Sequence, residues 1–313
     1  MVESNHQVKS DEAGLKLRQL LRNVTGLSSK QGNVLIDRGQ VKLNGKIERF
    51  GSIVLKTGQK ISWQSEGEAK ATSVLELKKN LNDKDFVLDN SKYLVLKKPP
   101  GIPSQRTKDP KRINAEDLVD RWAKAKGYGR VILTHRLDRD TSGLLLFAKN
   151  EKMATIMTEW FKHREINKTY FALCHGVTKP ARGTWSHFLG KGIEVGGRQT
   201  YRVVRSGGQR AETDFEILQS GSGYSLWKLS PKTGRTHQLR VQLKEAGFPI
   251  VGDDLYGPRQ AKSDAPHHLL HAGELLLPPE SGLMAPLSAP FPSAFVEFCD
   301  RLGFTHLDGP DLA

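Results

Sequence analysis

The sequence predicts an α+β protein of two domains: a small N-terminal α+β domain and a larger domain with a mixed, mainly antiparallel sheet and flanking helices. Three observations support this fold class. The chain has 313 residues, more than one average domain needs. A strong hairpin signal, Asn44-Gly45, stands close to the N-terminus. Beyond residue 165, short strands follow one another with few helices between them, a pattern typical of antiparallel or mixed sheets.

Composition sets the domain boundaries. Residues 1–12 are polar and are predicted to form a disordered tail. Residues 13–66 are assigned to the small domain, and residues 67–84, rich in Ser, Gly, Glu, Lys and Asn, to a linker. Residues 85–313 remain for the large domain, and this length can bury a core of its own.

Periodicity predicts two helices and then strands in the small domain. Apolar residues recur at near-helical spacing over residues 15–24, and a second helix is expected over residues 28–39 with a serine as its N-cap. Residues 40–43 alternate polar and apolar side chains before the hairpin turn, and residues 60–63 form a further strand.

The large domain opens with a buried-type strand at residues 93–96, which must leave the sheet at Pro99-Pro100 because proline cannot continue a central ladder. A helix is predicted from Asn114 through Lys126. A second helix has one apolar face, made of Met153, Ile156, Met157, Trp160 and Phe161. Other strands are predicted at residues 131–133, 144–147, 170–175, 200–204, 213–218 and 224–230, with a last helix capped by Thr236.

A polar stretch, residues 134–143, separates two apolar strand-type runs. A loop mounted at a sheet end in this way commonly carries functional groups. Asp138 lies between Arg136 and Arg139 in the sequence, and guanidinium groups favour an ionised carboxylate. From residue chemistry alone, the more common role for Asp138 would be a structural ion pair with these arginines, because such pairs also occur in ordinary proteins.

The same loop carries a family signature. Residues 135–143 read HRLDRDTSG and resemble the signature loop of RluA-type pseudouridine synthases. Other stretches resemble further motifs of that family, in order: KKPPG at 97–101, KTY at 168–170, GRTHQLR at 234–240, GDDLYG at 252–257 and LHA at 270–272. The resemblance covers roughly residues 85 to 305 and implies the pseudouridine synthase fold for the large domain.

The resemblance also implies an activity. Pseudouridine formation breaks the bond from the ribose anomeric carbon to a base nitrogen and rejoins the ribose to a base carbon. The family match implies that Asp138 is the catalytic carboxylate, acting as a nucleophile or as a base at the ribose. Tyr170 would stack on the uracil and assist proton transfer. Arg235 would pair with Asp138, with Arg240 as the competing arginine and Asp140 as the rival acid.

Two further positions bear on the chemistry. Gln105 stands where many relatives carry His, a departure that concerns the detailed role of that loop and not the central carboxylate. We interpret His237 as a structural, hydrogen-bonded histidine, because no His, Cys or acidic partners accompany it at ligand spacing. No metal is predicted. No glycine-rich phosphate loop stands at a strand-to-helix turn, so neither NAD nor ATP is implied and no cofactor is expected.

The small domain resembles the S4-like RNA-binding domain. The resemblance rests on GQVKLNG at residues 39–45 and LKTG at residues 55–58. An unrelated small α+β module with a solvated basic face is the alternative. Basic charge on a small domain can also serve solubility alone.

Charge points to a polyanionic partner, either a nucleic acid or an anionic membrane, and the family resemblance implies RNA. Lys plus Arg exceed Asp plus Glu by 48 to 34, which gives a formal charge of +14 and attracts polyanions. The resemblance to synthases with an S4-like domain implies large-subunit ribosomal RNA as the first candidate and transfer RNA as the second. A non-catalytic RNA-binding or ribosome-assembly factor is the rival function, although it explains the catalytic-type motifs less well. The side chains predicted to contact RNA are Arg18, Arg22, Lys30, Arg38, Lys42, Lys98, Arg136 and Arg240.

Cellular location follows from what the sequence lacks. No run approaches the roughly 18 apolar residues of a membrane span, and the N-terminus lacks the apolar core of a signal peptide. The two cysteines, Cys174 and Cys299, form no Cys-x-x-Cys pair. A reducing, cytoplasmic compartment is therefore expected, with a monomer as the default state.

Overall fold

The structure, a computed structural model, describes residues 2–25, 32, 35–36, 40–48, 50–65, 80–107, 109, 112–258 and 264–304. The chain divides into two compact units, Met1–Lys78 and Lys79–Ala313. Most of the predicted linker, residues 67–84, lies outside the described residues, and its described end leads into a short 3₁₀ helix at Asp83–Asp85. No described helix combines the length and the apolar character that a membrane crossing requires.

A four-stranded antiparallel sheet forms the smaller unit. Its strands are β1 (Val2–Gln7), β2 (Val41–Leu43), β3 (Lys46–Ile47) and β4 (Lys60–Ser65), in the spatial order β1-β4-β2-β3. The hairpin predicted at Asn44-Gly45 joins β2 to β3. Helix α1 (Leu17–Thr25) buries three leucines in the core of this unit. Of the second predicted helix, residues 32, 35 and 36 are described and are helical.

The prediction of a disordered tail over residues 1–12 is wrong. Strand β1 pairs with β4 along its whole length. Val8 is buried, and the backbone N–H of Lys9 donates to the carboxylate of Glu12 at 2.9 Å. Backbone hydrogen bonds hold an edge strand whatever its side chains are. A polar composition therefore gave no signal of this strand.

An eleven-stranded sheet forms the larger unit and confirms the predicted α+β fold class. Its strands are β5 (Phe86–Asp89), β6 (Tyr93–Lys98), β7 (Ile132–Leu133), β8 (Ser142–Ala148), β9 (Asn167–His175), β10 (Arg182–Val195), β11 (Arg198–Val204), β12 (Gln209–Gly221), β13 (Tyr224–Pro231), β14 (Leu270–Leu276) and β15 (Leu287–Ser288). Nine follow the order β11-β10-β12-β13-β9-β14-β8-β6-β5, while β15 pairs with β14 and β7 with β8. Of the strand pairs in the described ranges, only β14 and β8 run parallel.

Four α-helices flank this sheet in the described residues: α2 (Ala115–Ala125), α3 (Glu151–Lys162), α4 (Gln238–Glu245) and α5 (Ser293–Leu302). Asn114 caps α2 as predicted, accepting the Asp117 N–H at 3.0 Å. The apolar face of α3 packs on the sheet through Met153, Met157 and Trp160, with Phe161 partly buried. Ile156, which was predicted on the same face, is 37% exposed, so that part of the prediction is wrong. Helix α4 begins one residue later than predicted, after His237 instead of Thr236.

Close backbone packing fixes the position of the signature loop. The loop leaves β7 and returns in β8, where Gly143 pairs with Ala272 of β14. Gly143 has φ +115°, and a Cβ there would lie 2.1 Å from the Ala272 carbonyl oxygen. Only glycine permits this approach. As a result, the segment that precedes β14 lies directly beside the loop.

Candidate active site

Hydrogen bonds hold the backbone of the signature loop on both sides of Asp138. The Ser104 hydroxyl accepts the Leu137 N–H at 2.9 Å and donates to the Leu137 carbonyl at 2.7 Å. His135 Nε2 accepts the N–H of Leu146 in β8 at 3.0 Å, and burial lowers the pKa of His135 to about 3, so the ring is neutral. A carboxylate mounted on this loop is therefore held in a defined place.

Lys98 is a third clamp on the loop and not an RNA contact, so its predicted role is wrong. The side chain is 1% exposed, and its ammonium group donates to the carbonyls of Pro99, Ile102 and Arg139 at 2.9 to 3.0 Å. These bonds join the KKPPG turn to the residue after Asp138. Burial lowers the pKa of Lys98 to about 7.

Replacing Lys98 with methionine is expected to lower the free energy of unfolding by about 1–3 kcal/mol, because three carbonyls lose their donor inside the protein. Chemical denaturation at pH 6, where the lysine is protonated, measures the effect. Lys97→Met is the matched control, since its side chain is partly exposed on the same strand. Equal losses for the two variants would show that Lys98 does not clamp the loop.

Asp138 is paired with Arg240. Arg240 Nη1 donates to Asp138 Oδ2 at 2.9 Å, while its Nε and Nη2 donate to the two carboxylate oxygens of Asp253 at 2.7 and 2.8 Å. The side chain of Arg240 is 7% exposed, that of Asp253 is fully buried and that of Asp138 is 21% exposed. One guanidinium group thus joins a buried acid to an accessible one.

Electrostatics keep Asp138 ionised. Burial opposes the charged form, but the neighbouring imidazole of His237 and the guanidinium group of Arg240 outweigh it and hold the pKa of Asp138 below its ordinary value. Asp253 shows the same balance more strongly: burial would raise its pKa, yet the hydrogen bonds and charge of Arg240 bring it to about 2. Both acids are negative at neutral pH.

Arg235 does not pair with Asp138, so that prediction is wrong and the competing arginine is the partner. Arg235 Nε donates instead to the carbonyl oxygen of Arg210 at 3.0 Å, in an exposed position. The cause lies in the start of α4: Arg235 precedes the helix, whereas Arg240 lies in its first turn and points to the buried Asp253. The predicted RNA contact of Arg240 is excluded for the same reason, because its donors are committed to two acids.

Two depressions meet at Asp138. The larger, which we call the arginine cleft, has a volume of about 370 Å³ and is lined by residues 103–107, 136–140, Arg112, Arg198 and Arg240, among others. The smaller, which we call the tyrosine pocket, has a volume of about 130 Å³ and is lined by Tyr170, Lys168, Leu270 and residues 233–240. Asp138 lines both. A group bound in either depression can reach its carboxylate.

Tyr170 lies on β9, paired with Leu229 of β13 and Ala272 of β14, and lines the tyrosine pocket with Asp138. Burial, together with the negative charge of Asp138, raises the pKa of Tyr170 far above its ordinary value. The phenol therefore keeps its proton at neutral pH. The structure brings Tyr170 and Asp138 to one pocket, as the family resemblance implied.

Asp140, the rival acid, is occupied by other partners. Arg139 donates to both of its carboxylate oxygens, at 2.9 and 2.6 Å. His267 Nδ1 lies 3.2 Å from Asp140 Oδ1. Burial opposes ionisation, but these hydrogen bonds lower the pKa of Asp140 far below its ordinary value. Asp140 lines only the arginine cleft, so its geometry suits a structural ion pair.

His237 faces Asp138 with one ring nitrogen and Tyr256 with the other. Its Nε2 lies 3.8 Å from Asp138 Oδ2, and its Nδ1 lies 2.7 Å from the hydroxyl oxygen of Tyr256. The interpretation of His237 as a hydrogen-bonded histidine agrees with this geometry. In the described residues, no group of three or more His, Cys, Asp or Glu side chains could hold a metal ion.

The other predicted RNA contacts differ in location. Arg136 is exposed and lines both depressions. Arg18 and Arg22 are exposed on α1, and Lys42 is partly exposed on β2. Lys30 and Arg38 lie outside the described residues.

Sequence reasoning missed four residues that build the site: Ser104, Asp253, Tyr256 and His268. Asp253 and Tyr256 stand in the GDDLYG motif, which was a signal, but the pattern does not say which of two adjacent acids is buried. Asp253 is fully buried, whereas Asp254 pairs with Arg198. His268 Nε2 lies 2.8 Å from the Thr141 hydroxyl; no local pattern indicated this contact, which joins residues 127 positions apart.

Comparison with known proteins identifies the family of this chain. The sequence profile of the family described as RNA pseudouridylate synthase matches residues 92–245. An uncharacterised RNA pseudouridine synthase of Synechocystis sp. is 30% identical over 293 residues, which cover 90% of this chain and 87% of the relative. The ribosomal large subunit pseudouridine synthase D of Borreliella burgdorferi is 32% identical, over 68% of this chain and 67% of the relative.

Solved structures give the same result. The human RNA pseudouridylate synthase domain containing 4 is similar, with a TM-score of 0.59 and 26% identity, over 70% of this chain and 93% of that one. Sequence and fold therefore agree across the larger unit, and homologues of this kind isomerise uridine to pseudouridine in RNA. The chain belongs to the RNA pseudouridine synthase family and is an isomerase that acts on RNA.

Proposed function

We propose that the protein converts specific uridines of large-subunit ribosomal RNA to pseudouridine, with transfer RNA as the second candidate substrate. The Borreliella relative is named for the large ribosomal subunit, and that name supports the first choice. The observation that carries the proposal is the ionised carboxylate of Asp138 at the junction of the arginine cleft and the tyrosine pocket. The two cysteines are free and buried, which fits a monomer in the reducing cytoplasm.

The chemistry needs one activated carboxylate. The ribose leaves uracil N1 and is rejoined at C5, so C5 loses a proton, N1 gains one, and neither oxidant nor energy source is consumed. Asp138 would attack the sugar or the base, or take a proton from the ribose. Each route requires the ionised form, which Arg240 maintains. The same arginine places Asp138 Oδ2, because Asp253 holds it by two hydrogen bonds.

Tyr170 would provide the surface on which the uracil stacks. Base stacking on an aromatic ring contributes about 1–3 kcal/mol. Because burial raises the pKa of Tyr170, its hydroxyl remains protonated and serves as a hydrogen-bond donor. Acting as the base that removes the C5 proton would require the ionised phenolate, which this environment disfavours.

The target nucleotide must leave its helix to reach Asp138. Flipping costs a few kcal/mol, and phosphate contacts help to hold the opened strand. The arginine cleft offers such contacts next to the carboxylate. Besides Arg240, its arginines are Arg106, Arg112, Arg136, Arg139 and Arg198. Three of these also form ion pairs: Arg106 with Asp117, Arg139 with Asp140 and Arg198 with Asp254.

The smaller unit would act as an S4-like RNA-binding domain. Its sequence motifs and its exposed basic helix support this role, since Arg18 and Arg22 lie one turn apart on α1 and are exposed. Phosphate contacts of this kind increase affinity without reading the bases. The unit would therefore strengthen binding to RNA of any sequence.

Replacing Arg18 and Arg22 together with glutamine is expected to weaken RNA binding and to reduce the slope of log affinity against log salt by about 2, roughly 1 for each lost phosphate contact. Fluorescence anisotropy with a labelled RNA over a salt series measures both quantities. The matched control replaces Lys152 and Lys162, exposed on α3 and outside both depressions, with glutamine. Identical slopes for the wild type and the α1 variant would contradict the proposed role.

Release of tritium tests the activity directly. Ribosomal and transfer RNA transcripts are prepared without modification and with tritium at uracil C5, the proton that the reaction expels. Turnover releases tritium into water, and mapping of pseudouridine in the same RNA, and in RNA from cells that lack the protein, locates the target. Tritium release from transfer RNA alone would identify transfer RNA, the second candidate, as the substrate. Release from neither RNA would contradict the proposed function.

A further inference from the structure

Two chains of contacts link the segment at residues 252–257 to Asp138. Through Asp253 it holds Arg240, which donates to Asp138 Oδ2 at 2.9 Å. Through Tyr256 it holds His237, whose Nε2 lies 3.8 Å from the same oxygen. The backbone N–H of Tyr256 also donates to Asp253 Oδ1 at 3.0 Å, which joins the two chains of contacts.

Hydrogen bonding decides where His237 carries its proton. The backbone N–H of Tyr201 donates to the Tyr256 hydroxyl oxygen at 2.8 Å. The Tyr256 hydroxyl is therefore directed to donate its own proton to His237 Nδ1, 2.7 Å away. A neutral imidazole has one N–H, and burial lowers the pKa of His237, so that N–H is on Nε2. The donor faces Asp138.

The backbone and the neighbouring rings aim this imidazole. His237 has φ 56°, a left-handed conformation in which His is one of the enriched residue types. Such conformations persist at functional sites when the surroundings enforce them. The rings of Tyr201 and Tyr256 contact the imidazole edge-on, with centroids 5.6 and 5.5 Å from it.

Two hydrogen-bond donors face one oxygen of the carboxylate. Arg240 and His237 lie on the Oδ2 side of Asp138, and no hydrogen bond from a described residue to Oδ1 accompanies them. We propose that His237, with its proton placed on Nε2 by Tyr256, is a positioning residue that fixes Oδ2 and leaves Oδ1 to react with the nucleotide. This role rests on the proposed function of Asp138. The 3.8 Å separation is expected to shorten when RNA binds, because catalytic hydrogen bonds often tighten only in the complex.

Nitrogen NMR tests the proton placement without any turnover. In the intact wild-type protein, the ¹⁵N shifts of His237 are expected to show a protonated Nε2 and an unprotonated Nδ1. In Tyr256→Phe the donor to Nδ1 is lost, and a mixture of both tautomers is expected. The Nδ1–H form in the wild type, or the same shifts in Tyr256→Phe, would overturn the proposal.

Kinetics test the role in positioning. Tyr256→Phe is expected to lower kcat for tritium release severalfold with little change in KM, and to move the acid limb of kcat to higher pH, because His237 then presents its Nε2–H to Asp138 in only part of the molecules. His237→Asn tolerates the left-handed backbone but is too short to reach Asp138, so it is expected to lose the same activity. His237→Gln, whose amide nitrogen extends farther, is expected to recover part of it.

Tyr224→Phe is the matched control, since it removes a hydroxyl from a ring packed against Phe298, outside both depressions. Thermal unfolding of each variant confirms that it is folded before its kinetics are compared. Wild-type pH profiles in both Tyr256→Phe and His237→Asn would overturn the role of His237 and leave the isomerase activity standing. An absence of tritium release by the wild type would overturn the proposed function and this role with it.

Discussion

Asp138→Asn is expected to abolish pseudouridine formation, with kcat lower by about four orders of magnitude, the upper range for a positioned proton-transfer group. Asparagine has the shape of aspartate but neither its charge nor its nucleophilicity. The fold is expected to survive, because Arg240 keeps its two hydrogen bonds to Asp253. Tritium release from unmodified ribosomal RNA transcripts measures the loss.

Asp140→Asn is the matched control for this experiment. Asp140 lies two residues away and is bound by Arg139 and His267, so its loss is expected to weaken the loop and to leave a substantial part of the activity. If Asp140→Asn were inactive and Asp138→Asn active, the catalytic assignment would pass to Asp140. Retained activity in both variants would show that neither carboxylate is needed for the reaction.

Arg240→Met is expected to lower the free energy of unfolding by about 3–5 kcal/mol, the usual cost of leaving a buried charge without its partner. Asp253 is fully buried and would lose its only arginine among the described residues. Activity is expected to fall as well, because Asp138 loses a group that favours its ionised form. Denaturation at neutral pH measures the stability, and single-turnover kinetics measure the activity.

The pH dependence of this variant has a definite sign. In the wild type the folded pKa of Asp253 is about 2, against an ordinary value of 3.8. Its contribution to stability is therefore complete above about pH 4 and is lost as the pH falls to the folded value. In Arg240→Met the uncompensated burial raises that pKa instead, so acid is expected to relieve part of the destabilisation. Arg235→Gln is the matched control, and because Arg235 is partly exposed and its Nε donates only to a backbone carbonyl, its stability change is expected to stay within about 0.5 kcal/mol.

Local patterns predicted the elements that carry local signals. Asn114 as a helix cap, Asn44-Gly45 as a hairpin and the apolar face of α3 are each read within a few residues, and the structure confirms them except for Ile156 of α3, which is exposed. Strand β10 was missed, because it is exposed along most of its length and contains three glycines. Burial against another part of the chain, which is what defines such strands, leaves little trace in the strand itself.

The site shows the same division between local and distant information. The signature loop is contiguous, so Asp138 could be proposed from sequence, and the family resemblance supplied Tyr170. The sequence could not show whether Arg235 or Arg240 pairs with Asp138. That pairing depends on Asp253, which lies 13 residues beyond Arg240 and is buried against it. Lys98 was taken for a phosphate contact because its burial depends on the carbonyl of Arg139, 41 residues away.

Arg240, which pairs with Asp138, lies 102 residues after it in the chain. Strand β14, which pairs in parallel with the end of the signature loop, begins at Leu270. During synthesis the N-terminal part of a chain emerges first. A nascent polypeptide that exposes the acid before residue 240 has emerged therefore carries it without its counter-ion. We expect such a chain to be unable to isomerise uridine until residue 240 has emerged and Arg240 can pair with Asp138.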